Sequence, residues 1–251
     1  MAKVRLMAGG SQRVALAIPV ILACAVFTIV SMTAAGAASA RPVVRPTLSP
    51  EVGAMSLSNW AGYIAAGTTG EFTTASADWV VASVTCLSNQ DLYAPWVGID
   101  GYGDATVEQT GVETTCASGS PVSEAWYELY PKSPVFISEP VSTGDAFSAS
   151  VSYSTARKKF TVTITDVTKG WTKTVTKAHK SAKRMSAEAV IEAPGSVKDY
   201  PSITGVNFTD VLFNGADLST FSPVPSDSGN PVVYAPGPIT SGTNFTIAPT
   251  T

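Results

Sequence analysis

Phe147-Ser148-Ala149-Ser150-Val151-Ser152-Tyr153 alternates apolar residues with serine, one for one. A strand sends successive side chains to opposite faces, so this pattern predicts a strand with one face buried and one wet. Phe160-Thr161-Val162-Thr163-Ile164-Thr165 repeats it, and Trp171-Thr172-Lys173-Thr174-Val175-Thr176 follows after Asp166 to Gly170. The last two runs predict a hairpin that turns near Lys169-Gly170.

Working outward, short β-like runs recur between Gly, Pro, Ser, Thr and Asn clusters. They cover 58–66, 76–85, 93–100, 105–113, 123–130, 145–153, 158–166, 171–178, 186–193 and 243–248. No segment sustains a helical period. The best rival is 181–193, where Ala, Lys, Arg and Glu favour helix, yet Val190, Ile191 and the closing Pro194 suit a strand as well. About ten short strands without a long helix predict an all-β sandwich or barrel. No internal repeat is present. The tail from Ser222 to Thr251, rich in Pro, Gly, Ser and Thr, reads as loops plus one last edge strand.

The first 40 residues read as export signal. Residues 1–13 carry Lys3, Arg5 and Arg13 and no acid, residues 14–32 carry no charge, and Ala38-Ser39-Ala40 precedes Arg41-Pro42. That order is a secretory signal peptide cleaved after Ala40. Two alternatives stand beside it. The apolar run is long enough to span a bilayer uncut. Leu22-Ala23-Cys24 resembles a lipoprotein box, although Ala25 to Val30 carry the apolar run past the cysteine. On the first reading the protein is secreted and keeps no stable membrane association. Residues 41–55, with Pro42, Pro46 and Pro50, read as a linker or short pro-segment. Residues 56–251 then form one domain of a size usual for a sandwich, expected to be a monomer.

Without Lys3, Arg5 and Arg13 the chain keeps 13 bases against 19 acids. That balance makes nucleic acid an unexpected partner. Nine of the bases crowd between Arg157 and Arg184. They read as a solvated hairpin face whose lysines blunt an exposed edge; binding to an acidic polymer is the alternative. Cys86 and Cys116, in an exported domain, favour a disulfide over two free thiols. Two cysteines and one histidine argue against a His/Cys zinc site, and no ladder of Asp and Asn points to calcium. No metal and no cofactor is expected.

Ser–His–Asp and Cys–His catalysis both need an imidazole as base. His179 is the single histidine and sits in Lys177-Ala178-His179-Lys180, so it reads as a surface residue. No Asp-Thr-Gly, Asp-Ser-Gly, HExxH or phosphate-cradling glycine loop occurs. Carboxylate chemistry remains. Acids and aromatics gather between Trp96 and Glu128, and Glu188 and Glu192 lie four apart, on one face of a strand. Trp126 and Glu128 also share a face. This reads equally as a polar groove for an extended polymer and as core aromatics beside a solvated rim.

Five motifs decide between these. Ser58-Asn59-Trp60-Ala61-Gly62-Tyr63, Trp96-Val97-Gly98-Ile99-Asp100-Gly101, Gln109-Thr110-Gly111-Val112-Glu113, Ala125-Trp126-Tyr127-Glu128-Leu129-Tyr130-Pro131 and Ser186-Ala187-Glu188-Ala189-Val190-Ile191-Glu192 occur in that order. Together they resemble the glutamic peptidase family, the eqolisins. The resemblance implies a sandwich of two large curved antiparallel sheets, lectin-like (concanavalin-like) in outline. It implies a catalytic dyad of Gln109 and Glu192. It places Trp96 and Asp100 in the substrate cleft, with Glu113, Trp126, Glu128 and Glu188 lining the same region, and it implies a polypeptide substrate and insensitivity to pepstatin. In this reading Glu192 is the general base that draws a proton from water and returns it to the leaving amine. Gln109 steadies the water and the oxyanion. A reference glutamate titrates near ~4.3, which suits a base in mildly acidic medium. The chain departs from the family where Ala189 replaces a usual tryptophan, an expected widening of a subsite, and where Glu113 and Glu124 replace aspartates.

Two other functions compete. A lectin-like groove of aromatics and acids suits a non-catalytic module for cell-wall glycan or peptide. Glu128 with Glu192 would suit a glycoside hydrolase if the carboxyls stood about 5–10 Å apart.

Overall fold

The computed structural model describes residues 59–195, 199–229 and 232–250, so the leader at 1–40 and the stretch 41–55 lie outside the described residues. In chain order the strands are β1 (Trp60–Ala66), β2 (Thr74–Val80), β3 (Val84–Thr85), β4 (Leu92–Ile99), β5 (Val107–Thr115) and β6 (Val122–Tyr130). Next come β7 (Val135–Phe136), β8 (Ala146–Ser154), β9 (Lys159–Asp166), β10 (Trp171–Lys177), β11 (Ser186–Glu192) and β12 (Ser202–Ile203). The rest are β13 (Val206–Phe213), β14 (Ala216–Asp217), β15 (Val224–Ser226), β16 (Ser228–Gly229), β17 (Val232–Pro236) and β18 (Phe245–Pro249). A single-turn 3₁₀ helix, Leu218–Phe221, is the other regular element named among the described residues.

Two large antiparallel sheets result. One runs β15-β1-β11-β4-β5-β6-β7; the other runs β10-β9-β8-β2-β13-β18-β17-β16, with β14 beside β13. The alternation in β8 and β9 is the physical reason they stack. Phe147, Ala149 and Val151 of β8, with Phe160, Val162 and Ile164 of β9, turn inward. They meet Tyr93, Val97 and Ile99 of β4, Val112 of β5 and Ala187, Ala189 and Ile191 of β11. Each valine, isoleucine or phenylalanine fully removed from water here is worth roughly 1.5–3 kcal/mol. The predicted hairpin turns at Gly170, which sits at φ 72° and donates its N–H to the Asp166 carbonyl at 2.8 Å. Cys86 and Cys116 form a disulfide, Cα atoms 5.7 Å apart, between the end of β3 and the end of β5.

The strand expected at 186–193 is β11, Ser186–Glu192, and residues 181–185 are neither helix nor strand. Two expectations about the tail change. The last strand is not an edge: β18 lies between β13 and β17. The tail also supplies β15, β16 and β17, because backbone pairing with neighbouring strands outweighs its turn-rich composition.

Candidate active site

β1, β11, β4, β5 and β6 are adjacent in the first sheet. Since one face of each lies on the core, the next residues along face the other way. That second face carries its own apolar cluster of Trp60, Ile64, Ala94, Trp96, Val107, Trp126 and Val190. Cross-strand register orders the rest of it. Glu188 pairs with Gly98, Gly98 with Gln109 and Gln109 with Glu128, which gives one row across four strands. Val190, Trp96, Gly111 and Trp126 form the next row, and Trp60 pairs with Glu192 in the row beyond.

Glycines make room for the tryptophan between these rows. A Cβ on Gly111 would lie 2.2 Å from the Pro95 carbonyl oxygen and 2.7 Å from the Trp96 Cβ. One on Gly98 would lie 2.9 Å from Trp96 Cζ3. The Trp96 ring therefore reaches from beside Gly98 to Glu192, where its Nε1 donates to Oε2 at 3.1 Å. Trp60 meets it edge-on, ring centres 4.8 Å apart.

Glu192 is buried and held from two sides. Besides Trp96, Asn59 Nδ2 donates to Oε1 at 3.1 Å. Tyr200 supports this from behind, its hydroxyl donating to the carbonyls of Asn59 at 2.9 Å and Ile191 at 3.2 Å. Burial pushes the Glu192 carboxyl up to about 8. The indoles of Trp60 and Trp96 and the Asn59 amide favour the ionised form, while the charge of Glu128 opposes it. The ordinary glutamate value expected from sequence thus gives way to a raised one, because a carboxylate in this dry face loses the water that would solvate it.

Gln109 has a partner of its own. Its Nε2 donates to Glu128 Oε2 at 2.7 Å, while Gln109 Oε1 and Glu128 Oε1 have no partner. Burial pushes Glu128 up to about 8, with the Gln109 donor pulling the other way. A buried, unpaired acceptor costs free energy, and both oxygens keep their capacity to accept a hydrogen bond. Glu113 and Glu124 pair across β5 and β6.

Asp100 sits at the end of β4, at φ 66°, and its carboxylate serves backbone. Oδ2 accepts from Lys183 N at 2.9 Å and Arg184 N at 2.7 Å, and Oδ1 from Met185 N at 2.8 Å. Burial raises its carboxyl despite these donors. Glu188 is wholly buried; burial raises it well above the usual carboxylate range, against the Ser186 hydroxyl and the Tyr102 N–H, which favour its ionised form.

Two sequence expectations are corrected here. His179 is not a solvated surface residue: its Nδ1 contacts Glu108 Oε1, and its side chain is only 10% exposed. The lysines beside it in sequence hid a partner 71 positions away. Ala189 borders no subsite. It belongs to the core between the sheets, on the face opposite Glu188, Val190 and Glu192, so its small side chain cannot widen a groove on the other face. Asn59, in the Ser58-Asn59-Trp60 motif, is a partner of Glu192 that sequence pattern does not single out. The described residues hold no cluster of three or more His, Cys, Asp or Glu suited to a metal.

The model of the peptidase A4 family matches residues 58–230. The chain belongs to that family. This membership supports a peptidase. Among solved structures, scytalido-glutamic peptidase with a transition-state analogue inhibitor is 26% identical, with TM-score 0.65, covering 77% of this chain and 99% of that one. SCP-B, an eqolisin-family peptidase in complex with the tripeptide Ala-Ile-His, is 25% identical at TM-score 0.60 with the same coverage. Aspergilloglutamic peptidase from Aspergillus niger shares the fold at 24% identity and TM-score 0.53, covering 64% of this chain and 99% of that one. No curated protein matches the chain.

Proposed function

We propose that this A4-family chain is a secreted acid endopeptidase that cleaves polypeptides by direct attack of water, with Glu192 and Gln109 as its catalytic residues. The observation that carries this is the orientation of two buried carboxyl-bearing pairs on one sheet face, Glu192 clamped by Asn59 and Trp96, and Gln109 bound to Glu128.

Hydrating the groove relieves the burial that raises Glu192, and the Asn59 and Trp96 donors then favour its ionised form. As a base it takes a proton from the attacking water, and as an acid it returns that proton to the leaving amine. Gln109, with one amide hydrogen on Glu128, keeps its carbonyl oxygen for the water and its second hydrogen for the oxyanion. Trp96 and Trp126 floor the groove between the two. The apolar leader ending at Ala40 supports secretion, and the absence of a paired-aspartate motif supports insensitivity to pepstatin.

Digestion of denatured casein by residues 41–251 between pH 2 and 7, with and without pepstatin, tests the reading. Acid-range cleavage unaffected by pepstatin is expected. Folded protein that cleaves nothing at any pH would instead favour a binding module.

A further inference from the structure

Away from the groove, the segment 178–185 between β10 and β11 crosses the ends of β4 and β5. It is tied down at both ends. At one end, both nitrogens of the His179 ring are engaged, Nδ1 by Glu108 Oε1 and Nε2 by the Ser181 hydroxyl at 3.1 Å. At the other, Asp100 gathers the N–H groups of Lys183, Arg184 and Met185. The outer side of the strap accepts from Gly67, Gly70 and Phe72 N–H at 2.8, 2.7 and 3.1 Å. The strap then runs into β11, which carries Glu192, while Glu108 is the residue before Gln109 on β5.

The charges around the pair are lopsided. Glu108, Asp100, Asp104 and Glu188 are all buried, and the charges of Asp100, Asp104 and His179 all act on Glu108. Lys177 and Lys180 flank His179 in the sequence and are exposed. Arg184 turns away, its guanidinium 4.1 Å over the Tyr153 ring and 3.4 Å from the Gly70 carbonyl. Of these basic side chains, the imidazole is the one in contact with Glu108.

We propose that His179 is a positioning residue, a proton-dependent fastener that holds the strap on Glu108 in acid and releases it near neutral pH. The pair holds one proton, either as imidazolium with carboxylate or as imidazole with carboxylic acid, and is neutral in both forms. Losing that proton leaves a buried negative charge beside three other acids. Burial pushes Glu108 up to about 7, against the opposing pull of His179. A carboxyl raised in the folded state stabilises fully below its unfolded value of 4.5 and loses that contribution as pH rises through about 7. The fastening therefore weakens between these values. Its consequence for activity rests on the Gln109–Glu192 reading, since the strap bears on the strands of both.

The test separates the fastener from the chemistry. Hydrogen exchange, corrected for intrinsic rates, is followed at the amides of 67–72 and 183–186 from pH 4 to 8, in wild type and Glu108→Gln. The single histidine gives its own NMR titration in the same samples. Wild-type exchange is expected to rise at least tenfold toward pH 8, in step with the His179 titration, while E108Q, which has no charge to expose, stays protected. In casein cleavage the alkaline limb of E108Q moves to higher pH, whereas a purely structural contact would scale the rate equally at all pH. Uniform wild-type protection from pH 4 to 8, or His179 titrating without any change at those amides, overturns the fastener. If E108Q does not fold, these wild-type readouts decide alone. Pepstatin-resistant cleavage that survives Glu192→Gln would overturn the dyad and leave the exchange result standing.

Discussion

Gln109 donates its amide to Glu128 at 2.7 Å, while Glu192 accepts from Trp96 Nε1 at 3.1 Å. The dyad implied by family resemblance is therefore two groups with different partners on one sheet face. Glu128 becomes the residue that fixes which way the Gln109 amide points. Glu128→Ala leaves that amide unheld; at acid pH Glu128, raised to about 8, is uncharged, and a lost neutral hydrogen bond is worth ~0.5–1.5 kcal/mol. The expected result is roughly a 2- to 10-fold fall in kcat with a smaller change in KM, measured by steady-state peptide hydrolysis. Equal kcat in the variant would remove Glu128 from this role.

Trp96→Phe keeps the wall and deletes the donor to Glu192 Oε2. A hydrogen bond to the ionised form lowers a carboxyl's pKa, so its loss raises Glu192 further. With Glu192 as base, the acid limb of the rate profile moves to higher pH, and Asn59→Ala moves it the same way. A limb that stays in place in both variants means that another group sets it.

Raised carboxyls also fix the pH dependence of folding. Glu128 and Glu192 stand at about 8 and Glu108 at about 7, against 4.5 for an ordinary glutamate. Each contributes stability that is complete below 4.5 and fades as pH rises through its folded value. At Asp145 burial is the largest single effect and raises the carboxyl, but Lys169, the Ser142 N–H and Asp166 together leave it lowered, so this group acts in the opposite sense. The melting temperature is expected to be highest near the acid end and to fall toward pH 8. A melting curve that rises toward neutral pH would contradict the burial of these groups.

The Cys86–Cys116 bridge closes a loop with a sequence separation of 30. Chain-entropy arguments give ~3–4 kcal/mol for a loop of that size. Cys86→Ala/Cys116→Ala should lower the denaturant midpoint by that equivalent at an unchanged slope.

Much of this fold is legible in sequence because β8 and β9 alternate without interruption, and their burial follows suit. β13 shows why some of it is not. Val206 and Phe208 point inward, then Val211 and Phe213 do. The parity changes where the register with β2 shifts between Thr209 and Leu212, with Asp210 at φ 50°. A bulge of this kind erases the period-two pattern that reveals a strand. At the site, motif order marked Gln109, Glu192 and Trp96, and strand parity alone would have turned Ala189 inward. The Glu108–His179 contact and the raised Glu192 arise from tertiary burial, which neighbours in sequence do not encode.

The most direct measurement is the rate of casein cleavage by Glu192→Gln and Gln109→Ala beside wild type, at the acid pH where wild type is fastest. Folding of each variant is verified by its melting curve. The account predicts a loss of ~10²–10³ for Gln109→Ala and a deeper loss for Glu192→Gln, which removes the base. Near-normal cleavage by folded Glu192→Gln would place the catalyst elsewhere in the chain.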